Sequence, residues 1–138
     1  MNSFVSRYAI IATVLVLVSS CTSTEPVEIR VNKDQCANCK MTITELNYAS
    51  ELVTSKGKTF AFDDIKCMDY FQNNHEDEAI KNAISYVIDF NTLEFVKKNE
   101  AFLIQGGAIK SPMNGNIQAF KNKEDAQNAA QKLNAQPL

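Results

Sequence analysis

Positive charge is scarce in this chain. Fourteen lysines and arginines stand against 16 acidic residues, and they gather into no patch or stripe. Binding to a nucleic-acid backbone needs such a patch, so that class of function is excluded. Long hydrophobic runs are missing as well. The longest, Tyr8 to Val18, has eleven residues, against about 20 for a helix that spans a bilayer. Histidine occurs once, at His75, so imidazole can supply only one ligand to any metal site within the chain. Cysteine is confined to Cys21, Cys36, Cys39 and Cys67.

The short apolar run follows Arg7 and ends at Ser19-Ser20, directly before Cys21. A positive charge, an apolar stretch of this length and small residues at its end read as an export signal over residues 1–20. Val18-Ser19-Ser20-Cys21 resembles the lipobox of bacterial lipoproteins, so Cys21 is the expected lipidation site and the new N-terminus. Residues 21–26 then form a polar tether. Removing the signal leaves 118 residues with a net charge near −3, because Arg7 goes with it. That length suits one compact domain of modest core. Membrane attachment would come from lipid rather than from charge.

With Cys21 lipidated, three thiols remain, and an odd number cannot all pair within one exported chain. Disulfide frameworks in oxidising compartments use even counts. Three thiols near methionines look more like a ligand set. Cys36-Ala37-Asn38-Cys39-Lys40-Met41 packs two thiols and a thioether into six residues. Such soft donors favour Cu(I). In an extended segment, Cys39 and Met41 would point to the same side.

Three other readings stay open. Cys36, Cys39, Cys67 and His75 could close around zinc. A thioredoxin-like pair would open a helix, but Thr42-Ile43-Thr44 is rich in β-branched residues and argues against a helix start. A structural disulfide would leave Met41 and Cys67 unexplained; a metal-free interaction lipoprotein, with its sulfurs as core or disulfide residues, is the third reading. Phe62-Asp63-Asp64-Ile65-Lys66-Cys67-Met68 adds a second Cys-Met pair in the first turn of an expected helix. There Asp63 and Asp64 are caps rather than copper ligands, since hard carboxylates suit Cu(I) poorly. Met113 sits in the turn Ser111–Gly115, and His75 lies in a polar break between Asn73 and Asp77.

The rest of the pattern indicates an α+β fold: a small β-rich domain over 27–135 with two short helices. Strands are expected at Val27–Val31, Tyr48–Thr54, Thr59–Phe62, Ser85–Phe90, Leu93–Phe95, Glu100–Ile104 and Ile117–Phe120. Ser55–Lys58 reads as a hairpin turn. Helices are expected over 65–73, capped by Asp63 or Asp64, and after Asn122, with Ala126, Ala129, Ala130 and Leu133 on one face. A shift of 58 residues sets Gly57, Ala61 and Phe62 on Gly115, Ala119 and Phe120. Two related β-rich units follow as an expectation, with halves at 27–82 and 83–135.

The succession of lipobox, C-x-x-C-x-M, F-D-D-x-x-C-M and P-M-x-G-x-x-x-A-F resembles the NosL family of copper-binding lipoproteins, accessory to nitrous oxide reductase. Here those pieces are Val18 to Cys21, Cys36 to Met41, Phe62 to Met68 and Pro112 to Phe120. The resemblance implies two similar ββαβ-type units in a monomeric, lipid-anchored protein of the bacterial envelope, facing away from the cytoplasm. It implies a non-enzymatic carrier of one Cu(I), handed toward the copper centres of the reductase. The recipient would be a copper enzyme or an ABC-type transporter complex. Carried over by position, Cys39 and Met41 lead the ligand set, then Cys36, with Cys67, Met68 and Met113 behind them.

Overall fold

The computed structural model describes residues 23–138; the expected signal segment and Cys21 lie outside them. Among the described residues, seven strands form two antiparallel sheets with three α-helices. The first sheet holds β1 (Ser50–Val53), β2 (Thr59–Phe62), β3 (Ile84–Ile88) and β4 (Phe95–Lys97), in the order β2-β1-β3-β4. Helices α1 (Ile65–Asn74) and α2 (Glu78–Lys81) lie between β2 and β3 in sequence. The second sheet holds β5 (Phe102–Gln105), β6 (Ile117–Phe120) and β7 (Gln136–Pro137), in the order β6-β5-β7, with α3 (Lys123–Leu133) between β6 and β7.

The two units share one plan. In each, the first strand is central, the second is its hairpin partner, a helix follows, and the next strand returns on the other side. The 58-residue shift carries β2 onto β6 and the start of α1 onto that of α3. It also carries the N-cap Asp64 onto the N-cap Asn122, each accepting from backbone N–H groups of the first turn. The units are therefore ββαβ repeats. Pairing of β1 with β3 and of β3 with β4 keeps residues 84–97 with the first unit, past the expected division at 82.

Several local outcomes have clear causes. Gly57 takes φ +76 in the β1–β2 turn, and its N–H donates to the Thr54 carbonyl at 2.9 Å. A side chain is disfavoured there. In α1, Ile65, Met68 and Phe71 recur at helical spacing and face the core, while Tyr70 falls off that stripe and is exposed. Val27–Val31 joins no sheet. Asp34 accepts from the backbone N–H and guanidinium of Arg30, and the chain turns at 30–34 instead of extending. Helix α2 was not expected from the sequence; Asp77 caps it by accepting from the Ala79 N–H.

The units meet through the second sheet. Alternation along β5 and β6 sends Ile104 and Phe120 into a core beneath α3. It sends Leu103, Ile117 and Ala119 the other way, into the core that contains Cys36, Cys67 and Met68. A parallel bridge between Asp89 and Ala119 ties the units at the rim. Asp89 fixes it by accepting from the N–H groups of Asn91, Thr92 and Lys121.

Candidate metal centre

The C-x-x-C segment is a knuckle closed by its own backbone. Gln35 and Thr42 form an antiparallel bridge, the Cys36 N–H donates to Met41 O at 2.8 Å, and Lys40 N–H donates to Cys36 O at 3.0 Å. Lys40 takes φ +67 to close the turn. That left-handed residue breaks the extended run expected between Cys39 and Met41. No α-helix begins at the knuckle itself, unlike in a thioredoxin-like pair. The knuckle is held against β2 by the Ala37 N–H, which donates to Ala61 O at 2.8 Å.

This tie places the knuckle beside the β2–α1 junction. The sulfurs of Cys36, Cys39 and Cys67 and a carboxylate oxygen of Asp63 all lie within 4.8 Å of one another. The three cysteines are free thiols. Cys36 and Cys67 are buried and Cys39 is half-buried. Cys39 Sγ donates to Asp63 Oδ2 at 3.4 Å, and the Asn38 amide donates to Cys67 Sγ at 3.6 Å. The other Asp63 oxygen is buried with no hydrogen-bond partner.

Burial holds the Cys36 and Cys67 thiols in their protonated form. Burial pushes Cys36 up to about 11, against the pull of hydrogen bonds from the backbones of Cys39, Asp63 and Asn38. Burial also pushes the Cys67 thiol up, and the neighbouring Cys36, Asp63 and Cys39 add to the effect, opposed by the Asn38 amide. Backbone N–H groups aimed at a sulfur, together with a buried oxygen lacking a partner, favour a bound cation that replaces the thiol protons. Removing charge or polarity from water without a partner is costly. A cation among these four groups removes that cost.

The methionines are placed differently from one another. Met41 is 56% exposed at the mouth of the knuckle. Met68 is fully buried in the core that holds Cys36 and Cys67. Met113 is half-buried and packs against that same core. Its position is set by Asp64. While Oδ1 caps α1 through the Lys66 N–H, Oδ2 accepts from Ser111 Oγ at 2.6 Å, the Met113 N–H at 2.9 Å and the Gly115 N–H at 3.3 Å. One carboxylate thus joins F-D-D-x-x-C-M to P-M-x-G across nearly fifty residues. Gly115 is needed for closeness, since a Cβ there would collide with the Asp64 carboxylate and with Lys66.

His75 stands apart. It terminates α1, packs its ring at a tilt against Phe71 with 5.0 Å between centroids, and accepts from the Asp77 N–H. The cluster takes Asp63 where the zinc reading expected His75. Asp63 and Asn38 were not singled out as site residues from sequence. The available signal was the doubled Asp63-Asp64, because only one of two adjacent acids can be the N-cap.

Fold and site together define a two-unit α+β domain with a buried soft-donor cluster between a cysteine knuckle and a helix start. A family model described as NosL matches residues 26–136, and the chain belongs to the NosL family. Its fold is similar to the crystal structure of the copper chaperone NosL from Shewanella denitrificans, with a TM-score of 0.66 and 19% identity. That match covers 84% of this chain and 92% of the other. No curated protein matches the sequence.

Proposed function

We propose that this chain is a Cu(I) carrier of the bacterial envelope that receives the ion and passes it to a copper-requiring partner. The convergence of three free thiols in one pocket carries this reading. Family membership and the name of the structural neighbour support it. Two or three sulfur donors bind Cu(I) tightly. Cys39 and Met41 form the entrance through which ligands exchange, and Met113, half-buried against the same core, is a further thioether donor. Cys21 carries the lipid that keeps the carrier at the membrane. The recipient is an enzyme or an ABC-type complex, with nitrous oxide reductase the first choice.

Anaerobic titration against a chromophoric Cu(I) competitor tests the reading. One Cu(I) per chain is expected, with Cys39→Ser weakening it by about a hundredfold or more. Because bound thiols must first lose protons, affinity is expected to fall about tenfold per pH unit for each proton displaced as pH drops. Tight zinc binding with no preference for copper would sink the proposal.

Zinc has one observation in its favour, the hard oxygen of Asp63 inside the cluster. Asp63→Asn separates the two. For a Cu(I) site the affinity should change by less than about threefold, since the sulfurs do the binding. For a closed Cys3Asp zinc site it should fall by about tenfold or more. Isothermal titration of both metals into both proteins reads the difference.

A further inference from the structure

The segment that leads into the domain, residues 24–29, lies across one face of the first sheet. The Tyr86 hydroxyl donates to Thr24 O at 3.0 Å, and the Val27 N–H donates to Glu51 Oε1 at 2.9 Å. Ile29 is buried with Ile43, Ala49 and Ile88, and Ala61 packs against that group. Glu51 of β1 pairs with Ala61 of β2 on one side and with Tyr86 of β3 on the other. Side chains alternate along a strand, so these three share a face. Their neighbours Leu52, Phe62 and Val87 point the other way, into the core that holds Cys36, Cys67 and Met68. The sheet therefore stands between the entering segment and the thiols.

The expected tether of residues 21–26 is thus fastened from Thr24 onward. Thr24 is the third residue after Cys21, and three residues of extended chain span at most about 11 Å. If the chain were held only from Ile29, eight residues would intervene and could span about 29 Å. The bonds to Tyr86 and Glu51 decide between those lengths. Both side chains are covered, at 4% and 1% exposure, so the segment packs over them.

We propose that this docked segment holds the Thr24–Tyr86 side of the first sheet against the bilayer and keeps the thiol cluster on the far side of that sheet, open to a partner in the aqueous phase. The proposal rests on the lipid anchor at Cys21 put forward above. The bilayer is the occupant of this face because the chain leaving it reaches the lipid within about 11 Å. Val27, 53% exposed, adds an apolar side chain to that surface. Glu25 and Glu28 beside it are exposed acids, so contact depends on the lipid and not on attraction to anionic headgroups. A copper-receiving partner then approaches from the side of α1, without entering the bilayer.

The test uses the mature lipidated chain in phosphatidylcholine nanodiscs that contain a gadolinium-chelating lipid, with amide relaxation read by NMR. Amides of residues 24–29 should relax at least about tenfold faster than those of α1, because the effect falls as the inverse sixth power of distance and the sheet adds about 10 Å. The Val27 amide should exchange with solvent at least about tenfold more slowly than that of Glu28. A Gly-Ser insertion of about eight residues between Cys21 and Thr24 leaves every docked residue unchanged and should lower the relaxation ratio at least about threefold. Equal relaxation of the two regions, or faster relaxation of α1, overturns the proposal. So does a Val27 amide that exchanges as fast as Glu28, or a ratio that survives the insertion. Intact mass reports the lipid on Cys21: a chain without it overturns this proposal and the anchor together, whereas uniform relaxation of a lipidated chain overturns this proposal alone. Cu(I) stoichiometry tests the carrier separately.

Discussion

Asp64→Ala is expected to lower stability by about 3–5 kcal/mol, combining a lost N-cap with three lost hydrogen bonds to a carboxylate. Few single sites hold so much. Oδ1 caps α1, the helix that carries Cys67, and Oδ2 gathers Ser111, Met113 and Gly115. Removing the carboxylate leaves those donors facing a void, and the loop that carries Met113 is released. For a domain of this size the loss amounts to about 10–20 °C in Tm. Asp64→Asn separates the two roles. Asparagine caps helices about as well as aspartate, but its NH2 would face three donors. It should keep the helix start and lose the loop, showing most of the destabilisation. The measurement is thermal unfolding of the three proteins. A fall in Tm below about 3 °C for Asp64→Ala would refute the clamp.

Glu51 supplies the second large effect, one of pH. It lies on the central strand β1, almost fully buried, and its Oε1 accepts from the Val27 N–H at 2.9 Å. Burial pushes its carboxyl up from 4.5 to about 7, the Val27 N–H opposes this, and Asp34 adds to it. An acid raised on folding binds its proton more tightly in the folded state. Its contribution is complete below about pH 4.5 and is lost as pH rises through about 7. The protein should therefore be more stable near pH 5 than near pH 8, by up to about 3 kcal/mol from this group. Glu51→Gln mimics the protonated form and keeps the acceptor for Val27. It should remove most of that slope, matching the parent at pH 5 and exceeding it at pH 8. Urea unfolding at both pH values reads the result, and an unchanged slope in the variant would count against the assignment.

Legibility varied with the range of the interaction. Thr59–Phe62 and Ile117–Phe120 are strands at the expected bounds, because each is a short apolar run closed by turn residues. Both long helices start where a side-chain cap precedes the apolar stripe. The expected strand at Val27–Val31 failed for an equally local reason: Asp34 competes for Arg30, and the alternation of V-E-I-R-V could not show that. The one-turn helix α2 is too short to show a period.

The site was legible in part. Soft-donor composition pointed to a metal cluster, and Cys36, Cys39 and Cys67 do meet. Asp63 was read as a cap because its neighbour Asp64 satisfies the same pattern, and only the end of β2 turns one inward and the other toward the loop. The place of Met113 depends on a contact between residues forty-nine apart, for which no local pattern exists.

By itself the sequence determined the chemistry on offer: three thiols with methionines nearby, strand and helix periods, and a 58-residue echo between halves. These follow from residue type and near-neighbour spacing, which act over a few bonds. Tertiary structure decided which donors share one pocket, and which carboxylate clamps a loop and which joins the thiols. Those outcomes depend on how the two sheets pack. Packing joins residues by shape and hydrogen bonding, whatever their separation along the chain.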